Sequence, residues 1–269
     1  MEYRDYIQGD TQVSTIGLGA WQLGVDAGWT MLSEKEAIGL VHKALDMGVN
    51  FFDTAPVYGN GTSELRLGKA FVGKDRSKLV INSKFGRLAD GRVDFNAKHI
   101  AATVEGSLKR MGIDYLDSVI IHSPPFALLD GRNQEHYAIL DRLKEVGKIK
   151  AYGASIDSVN EIEMLLKTTN ATIIHAFFNV FHQDALDAAE RIVEKNATVV
   201  AKIPLDSGWL TGKYTKDSVF SGVRNRWSKE EIATRAQLVD RFRSLVGTDR
   251  NLAQTALAFC LGNRLIASV

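Results

Sequence analysis

The segment FFDTAPVYGNG, residues 51–61, places two ionisable side chains directly after an apolar run. Asp53 ends the run, and Tyr58 follows in a short segment that contains a proline and two glycines. A phenol has a pKa of about 10, so it is a poor acid at neutral pH unless a nearby cation stabilises the phenolate. With such a cation, this residue pair is suited to delivering a proton to a carbonyl oxygen.

Polar side chains also end the later apolar runs of the chain. In chain order they are Lys84, His122, Ser155, Asn179 and Lys202. We expect Asp53 to keep Lys84 charged, Lys84 to lower the pKa of Tyr58, and His122 to orient a substrate oxygen. Each residue alone also has a structural explanation, such as a turn or a strand end. Their combination at neighbouring strand ends indicates a general acid.

Eight short apolar runs alternate with longer segments of helical periodicity. The runs are 13–20, 49–53, 78–84, 118–122, 148–155, 172–179, 198–202 and 265–269. Ser33 and Glu36 have the spacing of a capping box at the start of a helix, and Gly48 closes that helix. Another helix should end at Gly147, and two more are expected near 231–246 and 251–262. Such alternation predicts parallel βαβ units, and the chain length favours a (β/α)8 TIM barrel, an α/β fold.

Both ends of the chain modify this expectation. Residues 2–17 have the pattern of an N-terminal β-hairpin that could plug the bottom of the barrel. The sequence stops at the eighth predicted strand, and a barrel without its last helix would expose the outer apolar faces of two strands. We therefore expect the last helix and a C-terminal tail to be missing. No repeat or linker divides the sequence, which favours one domain over residues 1–269.

The composition argues against several classes of protein. The net charge is +1 and no long run of one sign occurs, so a nucleic-acid or membrane-surface role has no electrostatic support. The N-terminus lacks an apolar signal core, and no segment reaches the roughly 20 apolar residues of a membrane span. The single Cys260 excludes an internal disulfide and suits a reducing compartment. The spacing of the histidines does not indicate a metal site. We expect a cytoplasmic protein, and the sequence does not predict its oligomeric state.

Several of these segments together resemble the aldo-keto reductase superfamily. FFDTAPVYGNGTSE is similar to the family's Asp–Tyr signature, SKFG and IIHSPP to its lysine and histidine segments, PLDSGWLTGKYT to its seventh loop, and AQTALAFCL to its penultimate helix. The resemblance, which begins at about Ile16, implies a (β/α)8 barrel that binds NADP(H) across its mouth. It also implies a small-molecule carbonyl substrate that receives a hydride on carbon. Tyr58 would protonate the oxygen, assisted by Lys84 and Asp53, with His122 orienting the substrate.

The resemblance further implies a set of cofactor contacts. Ser155 and Asn179 would hold the nicotinamide carboxamide, Lys202 would lie near the ring, and residues 204–213, especially Leu205, Ser207, Gly208 and Leu210, would line the pyrophosphate. Three positions depart from the family pattern, because Ile156, His175 and Lys202 stand where Asn, Gln and an aromatic residue are usual. The choice of NADP over NAD comes from the resemblance alone.

Two tryptophans and two arginines lie in predicted loops around the mouth. Trp21 and Trp29 would wall an apolar substrate pocket, although ordinary loop packing explains them equally well. Arg224 and Arg226 could contact the cofactor or substrate, but a solvated basic loop is slightly favoured. The function predicted from the sequence is NADP(H)-dependent reduction of an aldehyde or ketone. The alternative is a cofactor-binding regulatory or redox-sensing barrel with little turnover.

Overall fold

A computed structural model describes residues 1–24, 31–132 and 134–269. Its strands are β1 (Tyr3–Ile7), β2 (Thr11–Ser14), β3 (Leu18–Gly19), β4 (Phe51–Asp53), β5 (Val80–Phe85), β6 (Leu116–Ile121), β7 (Ile149–Ser155), β8 (Ile173–Phe177), β9 (Thr198–Lys202) and β10 (Ile266–Ser268). Its helices are α1 (Glu34–Asp46), α2 (Thr62–Phe71), α3 (Ile100–Met111), α4 (Gln134–Glu145), α5 (Val159–Thr168), α6 (Ala189–Glu194), α7 (Lys229–Leu245) and α8 (Leu252–Gly262).

Strands β3 to β10 form one curled sheet in which neighbours in sequence are also neighbours in space. All adjacent pairs in this sheet are parallel. Val269, directly after β10, donates its N–H to the Thr15 carbonyl at 3.0 Å and accepts from the Gly17 N–H at 2.9 Å. These bonds join the last strand to the first, so the predicted barrel is confirmed. In the described residues, which end at Val269, no helix follows β10.

The N-terminal hairpin closes the bottom of the barrel, at the amino ends of the strands. Strands β1 and β2 pair in antiparallel fashion, with Tyr3 opposite Ser14. Tyr6 and Val13 from this hairpin are buried against inward-facing strand residues, namely Phe51, Val80, Ile120, Ala151, Ile173, Val200 and Ala267. The plug predicted from the sequence is therefore present, and it completes an apolar layer inside the barrel.

The first predicted strand, 13–20, is wrong in its extent. Val13 and Ser14 belong to the hairpin, and only Leu18 and Gly19 pair with β4. The chain bends at residues 15 and 16, where the Ser14 hydroxyl donates to the Ile16 carbonyl at 2.7 Å. One continuous apolar run in the sequence thus serves two different sheets.

The helix ends follow the predicted signals closely. Ser33 and Glu36 form a capping box at the start of α1. Gly48 and Gly147 follow α1 and α4 with positive φ angles of 86° and 72°, which glycine adopts without strain. Helices α7 and α8 lie within two residues of the positions expected from the sequence.

Gly153 fixes the pairing of β7 with β8, and we expect Gly153→Ala to destabilise the protein by about 1–3 kcal/mol. A Cβ atom at this position would lie 1.6 Å from the Ile173 carbonyl oxygen, so the two strands would have to separate. Gly39→Ala in α1 is the control, because a Cβ there meets nothing within 4 Å and should stabilise by about 0.5–1 kcal/mol. Urea unfolding measures both changes, and equal stability of the two variants would contradict the assignment.

Candidate active site

The Lys84 ammonium group is the centre of a buried cluster at the mouth of the barrel. Its Nζ lies 2.7 Å from both carboxylate oxygens of Asp53, 2.8 Å from the Thr54 carbonyl and 3.2 Å from the Tyr58 hydroxyl. Lys84 is only 5% exposed. Strands β4 and β5 are adjacent in the sheet, which is why residues far apart in sequence meet here. The structure thus brings together three of the four residues proposed for catalysis.

Direct packing of two loop backbones holds Tyr58 in place. A Cβ atom on Gly59, whose φ is 65°, would lie 1.8 Å from the Gly24 carbonyl oxygen. A Cβ atom on Gly24 would lie 2.3 Å from the Tyr58 carbonyl oxygen. Ser63 also links these two parts of the chain, since its hydroxyl donates a hydrogen bond to the Ala20 carbonyl at 2.7 Å. Both glycines are therefore needed for the position of the tyrosine.

His122, which follows β6, completes the predicted group of four. Its ring lies edge-on to the Tyr58 ring, with centroids 6.0 Å apart and an interplanar angle of 88°. Burial, together with the charge of Lys84, lowers the pKa of His122 to about 3. Its Nδ1 atom is buried and has no hydrogen-bond partner among the described residues. At neutral pH this side chain is a neutral imidazole beside the phenol.

The charges of this cluster support one another. Burial alone would raise the pKa of Asp53, but the Lys84 charge and the hydrogen bonds from Lys84 and Asn82 hold that pKa below its usual value. Burial alone would lower the pKa of Lys84, but Asp53 outweighs it and the pKa is raised. At neutral pH the buried pair is therefore fully charged.

The pKa of the Tyr58 phenol differs from the value expected from the sequence. Burial raises the pKa of its phenol above the usual value, and the nearby Lys84 charge only opposes this rise in part. The Lys84 charge does lower the pKa of Tyr58, as expected. Burial raises that pKa by more, however, so the expectation of a net decrease is wrong. At neutral pH the phenol keeps its proton, which is the form that a proton donor requires.

Ser155 and Lys202 contact each other at the mouth. Lys202 Nζ donates to the Ser155 hydroxyl at 2.8 Å and lies 2.9 Å from Asp157 Oδ1. Because Lys202 only uses a lone pair of this hydroxyl, Ser155 keeps its own proton to donate. These two predicted cofactor contacts therefore form one hydrogen-bonded unit, in which the Lys202 charge is paired with Asp157.

Asn179 lies in the loop after β8, where its amide joins two loops. Its Nδ2 donates to the Ile203 carbonyl at 3.1 Å, and its Oδ1 accepts from the Phe181 N–H at 2.8 Å. The side chain is completely buried. In this structure the amide holds the loops after β8 and β9 together, which is a role that the sequence did not indicate.

The loop after β9 forms one wall of a cavity of about 380 Å³ at the mouth. Leu205, Ser207 and Gly208 line it, as do Trp21, Asp53, Arg224 and Arg226. Arg226 donates to the Ser207 hydroxyl at 2.7 Å, and Arg224 donates to the Ser207 carbonyl at 3.3 Å. The two arginines thus line the cavity, and Arg226 is also exposed to solvent, so the solvated loop and the ligand contact both stay predictions. Nothing in their spacing in the sequence revealed their contact with Ser207.

Leu210 lies away from this cavity, contrary to the prediction. It is completely buried in an apolar cluster with Trp209 and with residues of α7 and α8, including Val239 and Ala256. The φ angles of Asp206, Ser207 and Gly208 are all positive, and this turn directs the following residues inward. The side chain of Leu210 therefore contacts the core and does not reach a ligand in the cavity.

Trp21 and Trp29 were both predicted to wall the substrate pocket, and the structure describes only Trp21. The ring of Trp21 lies 6.5 Å from the Tyr58 ring and lines the cavity. Trp29 lies outside the described residues.

Two further polar residues at the site were not identified as functional from the sequence. Asn82 in β5 donates its amide to Asp53 Oδ1. His175 in β8 is buried, and its Nδ1 lies 3.7 Å from the same carboxylate. Burial lowers the pKa of His175 to about 4, so it is neutral. The available signal was a polar residue next to apolar ones in a strand, with Asn82 after Ile81 and His175 after Ile174.

In residues 1–24, 31–132 and 134–269, none of the helices combines the length and the apolar composition that crossing a bilayer requires. The same residues contain no cluster of three or more His, Cys, Asp or Glu side chains that could hold a metal ion.

A parallel barrel whose mouth joins a charged Asp–Lys pair to a proton-carrying tyrosine defines a class of protein suited to acid-assisted chemistry on a small molecule. Comparison with known proteins identifies the family more narrowly. The model of the aldo/keto reductase family matches residues 15–269. The chain therefore belongs to the aldo/keto reductase family of oxidoreductases, whose members typically use a nicotinamide cofactor.

Individual relatives agree with this assignment. An NADH-specific methylglyoxal reductase of Escherichia coli (strain K12) is 31% identical over 233 residues, covering 80% of this chain and 71% of that protein. A probable voltage-gated potassium channel subunit beta of Oryza sativa subsp. japonica is 29% identical, covering 100% of this chain and 86% of that protein. The holo structure of an aldo-keto reductase from Bacillus halodurans has a TM-score of 0.83 at 27% identity, covering 100% of this chain and 85% of that one.

The neutral, buried His175 predicts that the protein loses stability in mild acid. An unfolded histidine takes up a proton at a pKa of about 6.5, whereas the folded one resists protonation until about pH 4. Stability from this group is therefore complete above pH 6.5 and falls as the pH decreases towards 4, by about 2 kcal/mol at pH 5. Urea unfolding at pH 7 and pH 5 should show a smaller loss in His175→Gln than in the wild type. Equal losses in the two proteins would contradict the assignment.

Proposed function

We propose that this protein is an NADP(H)-dependent oxidoreductase that reduces an aldehyde or ketone to an alcohol, with Tyr58 as the general acid. The observation that carries the proposal is the contact of Lys84 with both Asp53, at 2.7 Å, and the Tyr58 hydroxyl, at 3.2 Å. These groups lie at the carboxyl ends of the strands, which is where barrel enzymes have their active sites.

The protein's own groups account for the proton transfer. The substrate oxygen would lie between the Tyr58 hydroxyl and the neutral imidazole of His122. As negative charge develops on that oxygen, Tyr58 donates its proton, and the Lys84 ammonium group stabilises the resulting phenolate. Asp53 keeps the ammonium group charged throughout, because it holds the pKa of Lys84 above its usual value.

The residues around the mouth fit a nicotinamide dinucleotide. Arg224 and Arg226 line the cavity with Ser207 and suit the negative charges of a pyrophosphate. The Ser155 hydroxyl, which keeps a free proton, suits a carboxamide oxygen. When bound, the cofactor supplies the hydride that reaches the carbonyl carbon. We name Ser155, Lys202, Leu205, Ser207 and Gly208 as its contacts, with Leu210 limited to its backbone. Asn179 is completely buried, so its role is to hold the loops that carry these residues.

The choice of NADP(H) within this proposal rests on the family resemblance alone, because the two arginines suit the pyrophosphate that NADP(H) and NAD(H) share. NADH is the alternative, since the relative from Escherichia coli is named as NADH-specific. We further propose a cytoplasmic location, a single domain over residues 1–269, and a small carbonyl compound as substrate, with neither nucleic acid nor membrane as a partner.

A second candidate function is a regulatory or redox-sensing barrel that binds the cofactor but turns over little. The relative from Oryza sativa, named as a probable potassium channel subunit, is the observation that favours it.

Tyr58→Phe should lower kcat for carbonyl reduction by at least about 100-fold, because it removes the proton donor. Binding of NADPH, followed by quenching of tryptophan fluorescence, should be nearly unchanged. If the variant reduces aldehydes as fast as the wild type does, Tyr58 is not the acid. If the wild type binds NADPH but reduces no member of an aldehyde and ketone panel, the regulatory function is favoured.

Arg226→Met should weaken NADPH binding about tenfold, because it removes a charge-assisted contact at the cavity wall. Arg132→Met is the matched control, since Arg132 pairs with Asp130 in an exposed loop. Fluorescence titrations with NADPH and NADH measure both variants. Equal affinities of the two variants for NADPH would remove Arg226 from the site, and a wild-type preference for NADH would replace NADP(H) in the proposal.

A further inference from the structure

A chain of buried hydrogen bonds runs through the barrel from the N-terminal hairpin to the active-site carboxylate. The Tyr6 hydroxyl lies 2.6 Å from the Ser118 hydroxyl, which donates to Asn82 Oδ1 at 2.7 Å. The amide of Asn82 then donates to Asp53 Oδ1. Tyr6, Ser118 and Asn82 are each at most 1% exposed. The chain therefore joins the plug at the bottom to the chemistry at the mouth without contact with solvent.

The chemistry of the four groups fixes the direction of every hydrogen bond. An ionised carboxylate only accepts, so Asn82 must present its NH2 group to Asp53. The amide oxygen then faces Ser118 and takes the one proton of that hydroxyl. The remaining lone pairs of Ser118 can only accept, so Tyr6 must be the donor in its contact. All three donors thus point towards Asp53, and each bond polarises the next.

The surroundings of this chain are apolar. Tyr6 lies in the layer that contains Phe51, Val80 and Ile120. Polar groups in such a layer are costly unless they are hydrogen-bonded, and here each member has its partner. The charged end of the chain is Asp53, so the arrangement favours the ionised form of that carboxyl group.

We propose that Asn82, Ser118 and Tyr6 are positioning residues that hold Asp53 oriented and ionised beneath Lys84. Through Asp53 they keep the ammonium group in contact with the Tyr58 hydroxyl. The role in turnover rests on the proposed function, whereas the effect on Asp53 itself does not.

Other groups also face Asp53 and must be kept constant in any test. Lys84 reaches it from β5 and His175 from β8, at 3.7 Å between Nδ1 and Oδ1. Tyr58 and His122 lie beyond Lys84. None of these groups belongs to the chain of hydrogen bonds, so variants at Ser118 and Tyr6 leave them in place.

Two variants separate positioning from stability. Ser118→Ala removes the donor to Asn82 and also leaves the buried Tyr6 hydroxyl without its acceptor, which should destabilise the fold. The double variant Tyr6→Phe/Ser118→Ala removes both hydroxyls, so no orphaned hydroxyl remains and much of that stability should return. Asp53 loses the polarised chain in both proteins. A purely structural role predicts that activity recovers with stability, whereas a positioning role predicts that it does not.

Matched controls exist elsewhere in the chain. Ser268→Ala removes a completely buried strand serine that donates to the Ser14 carbonyl at 2.8 Å. Tyr152→Phe removes a tyrosine hydroxyl that donates to Asp141 Oδ1 at 2.9 Å. Neither hydroxyl contacts the chain that ends at Asp53, so both controls should leave Asp53 and turnover unchanged.

The first readout is the pKa of Asp53, measured by NMR titration of its 13C-labelled carboxyl carbon and assigned with Asp53→Asn. A carboxylate whose donor is less polarised is harder to ionise, so the double variant should titrate at higher pH than the wild type. The second readout is carbonyl reduction. There kcat should fall about fivefold to tenfold, as for one weakened hydrogen bond to a charged group, and its acid limb should move to higher pH. The dissociation constant for NADPH should not change.

The outcomes distinguish this inference from the proposed function. If the double variant matches the wild type and the controls in both readouts, the positioning role is overturned. If the Asp53 titration and the pH profile of kcat both move, it is supported. If the wild type reduces no carbonyl but the Asp53 titration still moves in the double variant, the proposed function fails while the effect of the chain on Asp53 stands.

Discussion

The buried ion pair between Asp53 and Lys84 is the interaction on which the rest of the site depends. A lysine that is 5% exposed would tend to lose its proton without a carboxylate, and a buried aspartate would tend to gain one without a cation. Both oxygens of Asp53 lie 2.7 Å from Lys84 Nζ, so each group keeps the other charged. Removing one partner from such a pair would leave an uncompensated buried charge, which is strongly unfavourable. The barrel makes the pair possible because β4 and β5 are neighbours.

The scaffold around this pair separates two tasks. The strands fix the charged groups, because Asp53 and Lys84 lie on adjacent, hydrogen-bonded strands. The loops fix the phenol, because the backbones at Gly24 and Gly59 are in direct contact and determine where Tyr58 lies. Proton transfer needs both, since the hydroxyl must lie within reach of the ammonium group and of a substrate at once. Rigid strands and closely packed loop backbones meet that requirement.

The alternation of apolar runs and helical segments was enough to predict the barrel, its order and its hairpin plug, since these follow from periodicity and chain length. The sequence also predicted that Asp53 and Lys84 lie close together, because the carboxyl ends of parallel strands meet at the same edge of a sheet. The sequence did not indicate how deeply each side chain is buried. Burial decides the net pKa of Tyr58, and no pattern in the sequence measures it. The direction of Leu210 depends on successive positive φ angles, and the contact of Asn82 with Asp53 depends on which strand residues face inward.

The effect of the Lys84 charge on the Tyr58 phenol is the most direct test of this account. The ionisation of Tyr58 can be followed by the ultraviolet absorbance of tyrosinate, as the difference between the wild type and Tyr58→Phe, and again in a Lys84→Met background. Because the ammonium group opposes the rise that burial causes, its removal should move the pKa of Tyr58 still higher. An unchanged or lower pKa in the Lys84→Met background would show that Lys84 does not act on Tyr58, and would contradict the mechanism proposed for this site.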